Sequence, residues 1–334
     1  MFQSKRILHS DRNLGWKLQP HLNTEFYQKS LYSDGRGNRV ASKEASGLND
    51  SAYSGVLTMG PSSAFGWGVD FEETYSALVS KNLNLNIYNA SQIGYSVHQG
   101  LLLFNNDQLP NIKNFKIVII AYGVNDLDKF RFYDSNFGSD EEYFSKYLKT
   151  HGSGSEFLGN LGKVTSIFMH EISLLTDCRA LIDIQQRVSL QTYLDKIAEL
   201  VKTIRISGVT PVLINTPYYY EASRITSNEG HIDQLYNEVK VAAKNGHCSE
   251  ALGFLKKAKS FESLRVFEDV KKLNQSLLEL SQQYKIIYVD AFSILQSQNA
   301  KENFVDPVHP SAKGHNLISV AILKALSGKG AGFE

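Results

Sequence analysis

Short apolar runs alternate with longer amphipathic stretches through most of this chain. Five of the runs, Gly55–Met59, Asn86–Ala90, Lys116–Tyr122, Val209–Asn215 and Ile286–Asp290, have the pattern of strands buried on both faces of a parallel sheet. Between them the spacing of apolar residues changes to that of helices, as in Glu72–Lys81, Leu190–Ile206 and Glu268–Tyr284. Strands alternating with helices predict an open α/β sheet covered on both faces. In such sheets ligands bind at the carboxyl ends of the strands.

The pattern also sets the organisation. Residues 1–52 are polar and turn-rich, with Asp34-Gly35-Arg36-Gly37-Asn38 as the clearest loop signal, and read as an irregular arm laid on a domain of residues 53–330. Two connections are longer than usual. Residues 126–186 carry Phe130, Phe132, Tyr133, Phe137, Tyr143, Phe144 and Tyr147, which suit a lid or pocket wall. Residues 221–267 contain two helical segments, Asp233–Asn245 and Glu250–Ser260, and read as an inserted helical hairpin. No internal repeat or low-complexity tract is evident.

Composition narrows the function. The 334 residues are 42% hydrophobic and 21% charged, an ordinary globular balance. A formal charge of +1, from 35 basic and 34 acidic residues, gives no electrostatic reason to expect nucleic acid or an anionic membrane as partner. No apolar run is long enough to span a bilayer, and no apolar stretch follows the basic start, so a cytoplasmic protein is expected. Cys178 and Cys248 lack metal-type spacing and read as two buried free thiols rather than a bridge.

The chemistry gathers where strands end. Gly60-Pro61-Ser62 follows the first strand, and its glycine permits a sharp turn that presents Ser62 at the start of a helix. There the hydroxyl can act as a nucleophile, and the backbone N–H can meet an oxyanion; a helix-capping serine is the plainer alternative. Asn89-Ala90-Ser91-Gln92-Ile93-Gly94 follows the second strand, where Gly94 allows close backbone approach to a ligand, though taken alone it reads first as a simple loop glycine. Gly123-Val124-Asn125-Asp126 follows the third, and Asn125 offers an amide donor or a simple Asx turn. Asp306-Pro307-Val308-His309-Pro310 stands just before the last helix. Its spacing lets the carboxylate reach the imidazole, fix its tautomer and leave the other nitrogen to take a proton. His315, further along that helix, reads as a surface residue.

In this order the four segments resemble the four blocks of the SGNH (GDSL-like) hydrolase family, from residue 54 to about 325. The resemblance implies a three-layer α/β/α sandwich, a flavodoxin-like fold with a parallel five-stranded sheet, and no cofactor or metal. It implies Ser62 as nucleophile, His309 as general base and Asp306 as its orienting partner, with an oxyanion hole of the Ser62 N–H, Gly94 N–H and Asn125 side chain. One departure is Pro61, where the family usually has aspartate. Asn13–Pro20 and Gly37-Asn38-Arg39 resemble a segment preceding the first block in large members, many of them linked to polysaccharide modification.

The expected activity is hydrolysis of a short acyl ester, acetyl on a carbohydrate, through an acyl-enzyme. Its partners are then a small-molecule or glycan ester, with homo-oligomerisation open. Aromatic residues after the third and fourth strands, including Tyr218-Tyr219-Tyr220, suit flat walls for sugar rings, with local cores, the commoner use of such clusters, and an acyl-chain slot as the alternatives. The alternatives are an O-acyltransferase using the same site and a non-catalytic scaffold silenced by Pro61. A flavin protein shares the fold, but the first strand lacks a hydroxyl-rich phosphate loop.

Overall fold

The computed structural model describes residues 7–11, 13–45, 54–127, 139–142, 178, 181–182, 186–220, 229–260, 262–296 and 299–328. The five apolar runs form parallel strands: β6 (Gly55–Met59), β7 (Ile87–Asn89), β8 (Phe115–Ile120), β9 (Thr210–Ile214) and β10 (Ile287–Val289). Ahead of them lie β1 (Leu8–Asp11), β2 (Gly15–Leu18), β3 (Asn23–Phe26), β4 (Lys29–Ser33) and β5 (Arg39–Val40). The sheet runs β10-β9-β8-β6-β7-β5-β4-β3. Its last three strands pair antiparallel, with β5 joined to β7 at Arg39↔Asn89. The N-terminal residues are therefore not irregular, as expected from their polarity, but extend a five-stranded parallel core into an eight-stranded mixed sheet. Their strands are partly solvated and interrupted by turns, so they lack the continuous apolar runs that mark a buried parallel strand.

Alternation along each parallel strand sorts side chains onto two faces. Val56, Ile117, Ile119, Val212, Ile214, Ile287 and Val289 meet α2 (Tyr75–Asn82), α8 (Ala291–Leu295) and α9 (Ala312–Gly328) in one core. Leu57, Met59, Val118, Ile120 and Leu213 meet α3 (Val97–Leu103), α4 (Leu190–Ile206) and α7 (Glu262–Gln283) in the other. Helix α4 shows why the periodicity works. Tyr193, Ile197, Leu200, Val201 and Ile204 are its buried residues, one stripe at helical spacing. Ser189 caps its start by accepting the Thr192 N–H at 3.2 Å. Leu14, Trp16 and Leu18 of the β1–β2 hairpin join the same core.

Helices α5 (Glu229–Lys244) and α6 (Cys248–Ser260) pack as a hairpin with its own apolar cluster, which includes Leu235, Val239, Ala251 and Leu255. Cys178 and Leu181 complete it, and Cys178 is bridged to Cys248 with Cα atoms 5.2 Å apart. This corrects the expectation of free thiols. The two residues lie 70 positions apart, and only the docking of α6 on the segment at 178 brings them together. The aromatic stretch from Phe130 to Phe137 and from Tyr143 to Tyr147, expected to form a lid, lies outside the described residues. Unreduced protein, unfolded in guanidinium and titrated with a thiol reagent, is expected to show no free thiol; two per chain would show that the bridge does not form.

Candidate active site

Three neighbouring parallel strands, β7, β6 and β8, end at one edge, and each releases one of the sequence blocks. Strand β6 ends at Met59, and Gly60 makes the turn. A Cβ on Gly60 would sit 2.6 Å from the Ala64 Cβ and 2.8 Å from the Ala121 carbonyl oxygen, so no larger residue fits there. The short helix α1 (Ser62–Phe65) follows, with Pro61 in the N-cap position. Pro61 has φ −83° and its carbonyl still accepts the Ala64 and Phe65 N–H groups at 3.0 and 2.9 Å. Proline removes a donor, yet it leaves the turn intact.

Ser62 and His309, distant in sequence, meet here. The Ser62 Oγ lies 2.7 Å from His309 Nε2, and His309 Nδ1 lies 2.7 Å from Asp306 Oδ2. Ser62 and His309 are 9% and 8% exposed, so the contact is shielded without being sealed. The Asp306 loop holds itself in place. Asp306 Oδ1 accepts the Val308 and His309 N–H groups at 3.0 and 3.1 Å, and the Pro307 carbonyl accepts the Tyr219 N–H at 2.7 Å. Burial pushes the Asp306 carboxyl up, but the hydrogen bond and charge of His309, with the two backbone donors, outweigh it. Its pKa falls below the ordinary value. An ionised Asp306 fixes the proton on Nδ1 and leaves Nε2 to accept from the serine. Trp67 stacks on the imidazole, with centroids 5.0 Å apart and planes 11° from parallel.

The other two blocks form the neighbouring wall. Gly94 adopts φ +78°, a conformation that suits glycine. Asn125 Nδ2 donates to the Tyr95 carbonyl at 3.1 Å, which ties the Asn125 turn to the Gly94 loop. Next to it Asp126 is buried, and one carboxylate oxygen accepts the Val97 N–H at 2.8 Å. Burial, only partly offset by that donor and by Arg187, pushes its pKa up to about 7. Asn89 reaches from the second block to the Ala64 and Phe65 carbonyls at 3.4 Å and so braces α1.

Two arginines do supporting work that no motif announced. Arg39 donates from Nη1 to the Phe65 and Gly66 carbonyls at 2.8 and 2.6 Å, and from Nη2 to the Val69 carbonyl at 2.7 Å. It thereby grips the end of α1 and the loop carrying Trp67. Arg187, fully buried, donates to the Gly94 carbonyl at 2.7 Å and to Gln99 at 2.7 Å. It also pairs with the buried Asp140 at 2.9 Å. Asp140 in turn accepts from Ser96, the N-cap of α3, at 2.6 Å. A lone arginine in a polar sequence carries no signal of such burial. Asp34-Gly35-Arg36-Gly37-Asn38 was legible as a turn, and Arg39, which follows it, proves to be the brace.

Some expectations are corrected. His315 is not on the helix surface: it is 0% exposed, accepts the Tyr75 N–H at 3.2 Å and sits 5.3 Å from the Tyr75 ring. Burial first, then the charges of Arg39 and His309, push its pKa down to about 3, so it stays neutral. Helix α9 packs against α2 along the face that carries it, which its own periodicity does not reveal. Tyr218 is buried, Tyr219 packs on Phe304 and Tyr220 on Phe267, so these rings serve local packing rather than an open wall. Among the described residues no group of three His, Cys, Asp or Glu side chains is placed to hold a metal.

A family model described as GDSL-like lipase/acylhydrolase matches residues 57–317, from the first parallel strand into the last helix. The chain belongs to the GDSL-like lipase/acylhydrolase family. It is an ester hydrolase of that family, in which a serine triad and an oxyanion hole are typical. Among solved structures, a GDSL-family lipolytic protein from Veillonella parvula is 11% identical, covers 82% of this chain and 98% of its own, and gives a TM-score of 0.45. A GDSL-like lipase from Bacteroides thetaiotaomicron is 13% identical over 86% of this chain and 94% of its own, with a TM-score of 0.43. An acetylxylan esterase from Geobacillus stearothermophilus is 17% identical over 84% and 95%, with a TM-score of 0.41. No curated protein matches the chain in sequence.

Within this GDSL-like chain the Arg187–Asp140 pair is open to a direct test. Arg187→Met leaves the Asp140 carboxylate buried without its guanidinium and is expected to cost about 3–5 kcal/mol in urea unfolding. Adding Asp140→Leu should recover a large part of that loss. A cost below about 1 kcal/mol for Arg187→Met would mean that the pair is exposed or absent.

Proposed function

We propose that the chain cleaves a short acyl ester, acetyl in the first instance, carried on a carbohydrate alcohol, through an acyl-enzyme on Ser62. The observation that carries the proposal is the unbroken line of contacts Ser62 Oγ–His309 Nε2 and His309 Nδ1–Asp306 Oδ2, each 2.7 Å long. As Ser62 Oγ attacks the ester carbonyl carbon, its proton passes to Nε2 and the carbonyl electron pair moves onto oxygen. The Ser62 and Gly94 N–H groups and the Asn125 amide receive that oxyanion. Asn125 has two amide hydrogens, and its bond to the Tyr95 carbonyl uses one.

Collapse of the intermediate breaks the bond to the alcohol oxygen, which takes the proton from Nε2 and leaves. Water then attacks the acyl-serine, giving a proton to His309. The second collapse returns that proton to Ser62 and releases the carboxylic acid. Asp306, kept ionised, balances the imidazolium in both halves. Pro61 in place of the family's usual aspartate is compatible with this chemistry, since Ser62 keeps its contact with His309.

Support for a carbohydrate alcohol comes from the N-terminal arm, which resembles that of polysaccharide-linked members and here grips both α1 and the Gly94 loop. The Cys178–Cys248 bridge favours an oxidising compartment over the cytoplasm first expected, because cytosolic thiol systems keep such pairs reduced. Among the described residues no helix is long and apolar enough to cross a membrane.

A fluorophosphonate probe is expected to label Ser62, and Ser62→Ala to lose labelling and turnover together. Full esterase activity in Ser62→Ala would defeat the mechanism. Run in parallel, p-nitrophenyl esters of increasing chain length and acetylated sugars test the substrate class; preference for chains of about eight carbons, with sugars inert, would overturn it. Asn125→Ala should lower kcat by roughly 10²–10³ with little change in KM, as for a donor used in the transition state. A raised KM with kcat intact would instead make Asn125 a binding or turn residue.

A further inference from the structure

The β3–β4 hairpin turns through two residues, Tyr27 and Gln28, with φ of +52° and +61°. Two-residue turns with both central φ positive fit the twist of a hairpin, and asparagine and glycine are their usual occupants. A tyrosine in the left-handed region is uncommon, and here its ring packs on Phe26 of the same hairpin, edge to face at 4.8 Å. The hairpin nonetheless holds that ring out, 47% exposed, with its centroid 4.6 Å from Trp67 and a tilt of 44°. Phe26 supports Trp67 from below, edge to face at 4.7 Å. The tip is fixed to the segment after Trp67, since Lys29 pairs with Asp70 at 2.8 Å and Glu73 at 3.6 Å. Tyr27 is thus one ring removed from the His309 imidazole, through Trp67.

We infer that Tyr27 and Trp67 form the subsite for the alcohol half of the ester, and that this alcohol is an uncharged, pyranose-type sugar. The inference rests on the reading of Ser62 and His309 given above. His309 must return its proton to the departing alcohol oxygen, so that oxygen lies within hydrogen-bond reach of Nε2. A group attached there lies beside Trp67, whose face covers the imidazole, and outward from it stands Tyr27. The half-exposed Tyr27 ring, backed by Trp67, offers an electron-rich face to the polarised C–H groups of a sugar. Asp70, Glu72 and Glu73 follow Trp67 closely in sequence, and with Lys29 paired to two of them the group keeps a net negative charge that disfavours an acidic sugar.

Three acetates that differ only in the alcohol test this: methyl acetate, hexyl acetate and an acetylated methyl glucopyranoside. In the parent protein kcat/KM for the pyranoside ester should exceed that for methyl acetate. Tyr27→Ala should lower that preference about tenfold, mainly through KM, and Tyr27→Trp should keep it. Free methyl glucopyranoside should slow fluorophosphonate labelling of Ser62 in the parent and not in Tyr27→Ala, a readout independent of the acyl group. Equal protection in both proteins, or none in the parent, overturns the subsite while the Ser62 mechanism stands. An equal loss for hexyl acetate overturns the sugar class, because the rings would then be a general apolar surface. Absence of labelling in the parent removes the serine mechanism and the subsite together.

Discussion

A guanidinium taken out of water keeps its charge and must find oxygen atoms to hold. Arg39 is such a group: burial lowers its pKa to about 10, against the pull of Asp70, Glu72 and Glu73. Among the described residues no carboxylate comes within ion-pair distance of it. Its oxygens are the Phe65, Gly66 and Val69 carbonyls, the C-terminal end of α1 and the loop beyond. Helix α1 is a single turn and cannot stand on its own hydrogen bonds. The need of Arg39 for acceptors and the need of α1 for donors are met by one contact. Ser62, Trp67 and the arm therefore take their positions together.

The Gly94 loop is held in a similar way, from two sides. Trp16 Nε1 donates to the Ile93 carbonyl at 2.7 Å, the Leu18 N–H reaches Gln92 at 2.9 Å, and Gln92 reaches the Gly37 carbonyl at 2.9 Å. Arg187 takes the Gly94 carbonyl from the other side. A loop without secondary structure of its own gains rigidity here from partners remote in sequence, as the donors of the proposed oxyanion hole would require.

The sequence made the parallel core legible because each strand, buried on both faces, is apolar almost throughout, as in Ile117 to Ile120. The four blocks were legible because turn residues and reactive side chains sit at fixed offsets from strand ends. The arm was not, since its strands mix exposed and buried positions and β5 is only two residues long. Arg187 and Asp140, and the bracing role of Arg39, were invisible for a different reason. Charged residues are buried only when a partner from elsewhere meets them, and the pairing of residues 140 and 187 has no local signature. Cys178 and Cys248 failed on the same ground, and His315 because its helix is apolar around much of its circumference.

The β5 strand touches the parallel core through one ladder pair, Arg39↔Asn89. The arm is also attached through apolar side chains: Ile7, Leu8, Leu14, Trp16, Leu18, Phe26 and Leu31 enter the core on one face of the sheet, while the core on the other face takes nothing from the first 45 residues. Contacts between the arm and the Gly94 loop span sequence separations of 55 to 79 residues, so they exist only once the two parts of the chain are packed together. Undocking the arm would bare Ile7, Leu8, Leu14, Trp16, Leu18, Phe26 and Leu31 of the main core and free α1 of its guanidinium in the same event. The burial of the arm and the position of α1 are therefore one structural event: this chain cannot hold its first helix in place without also closing its core.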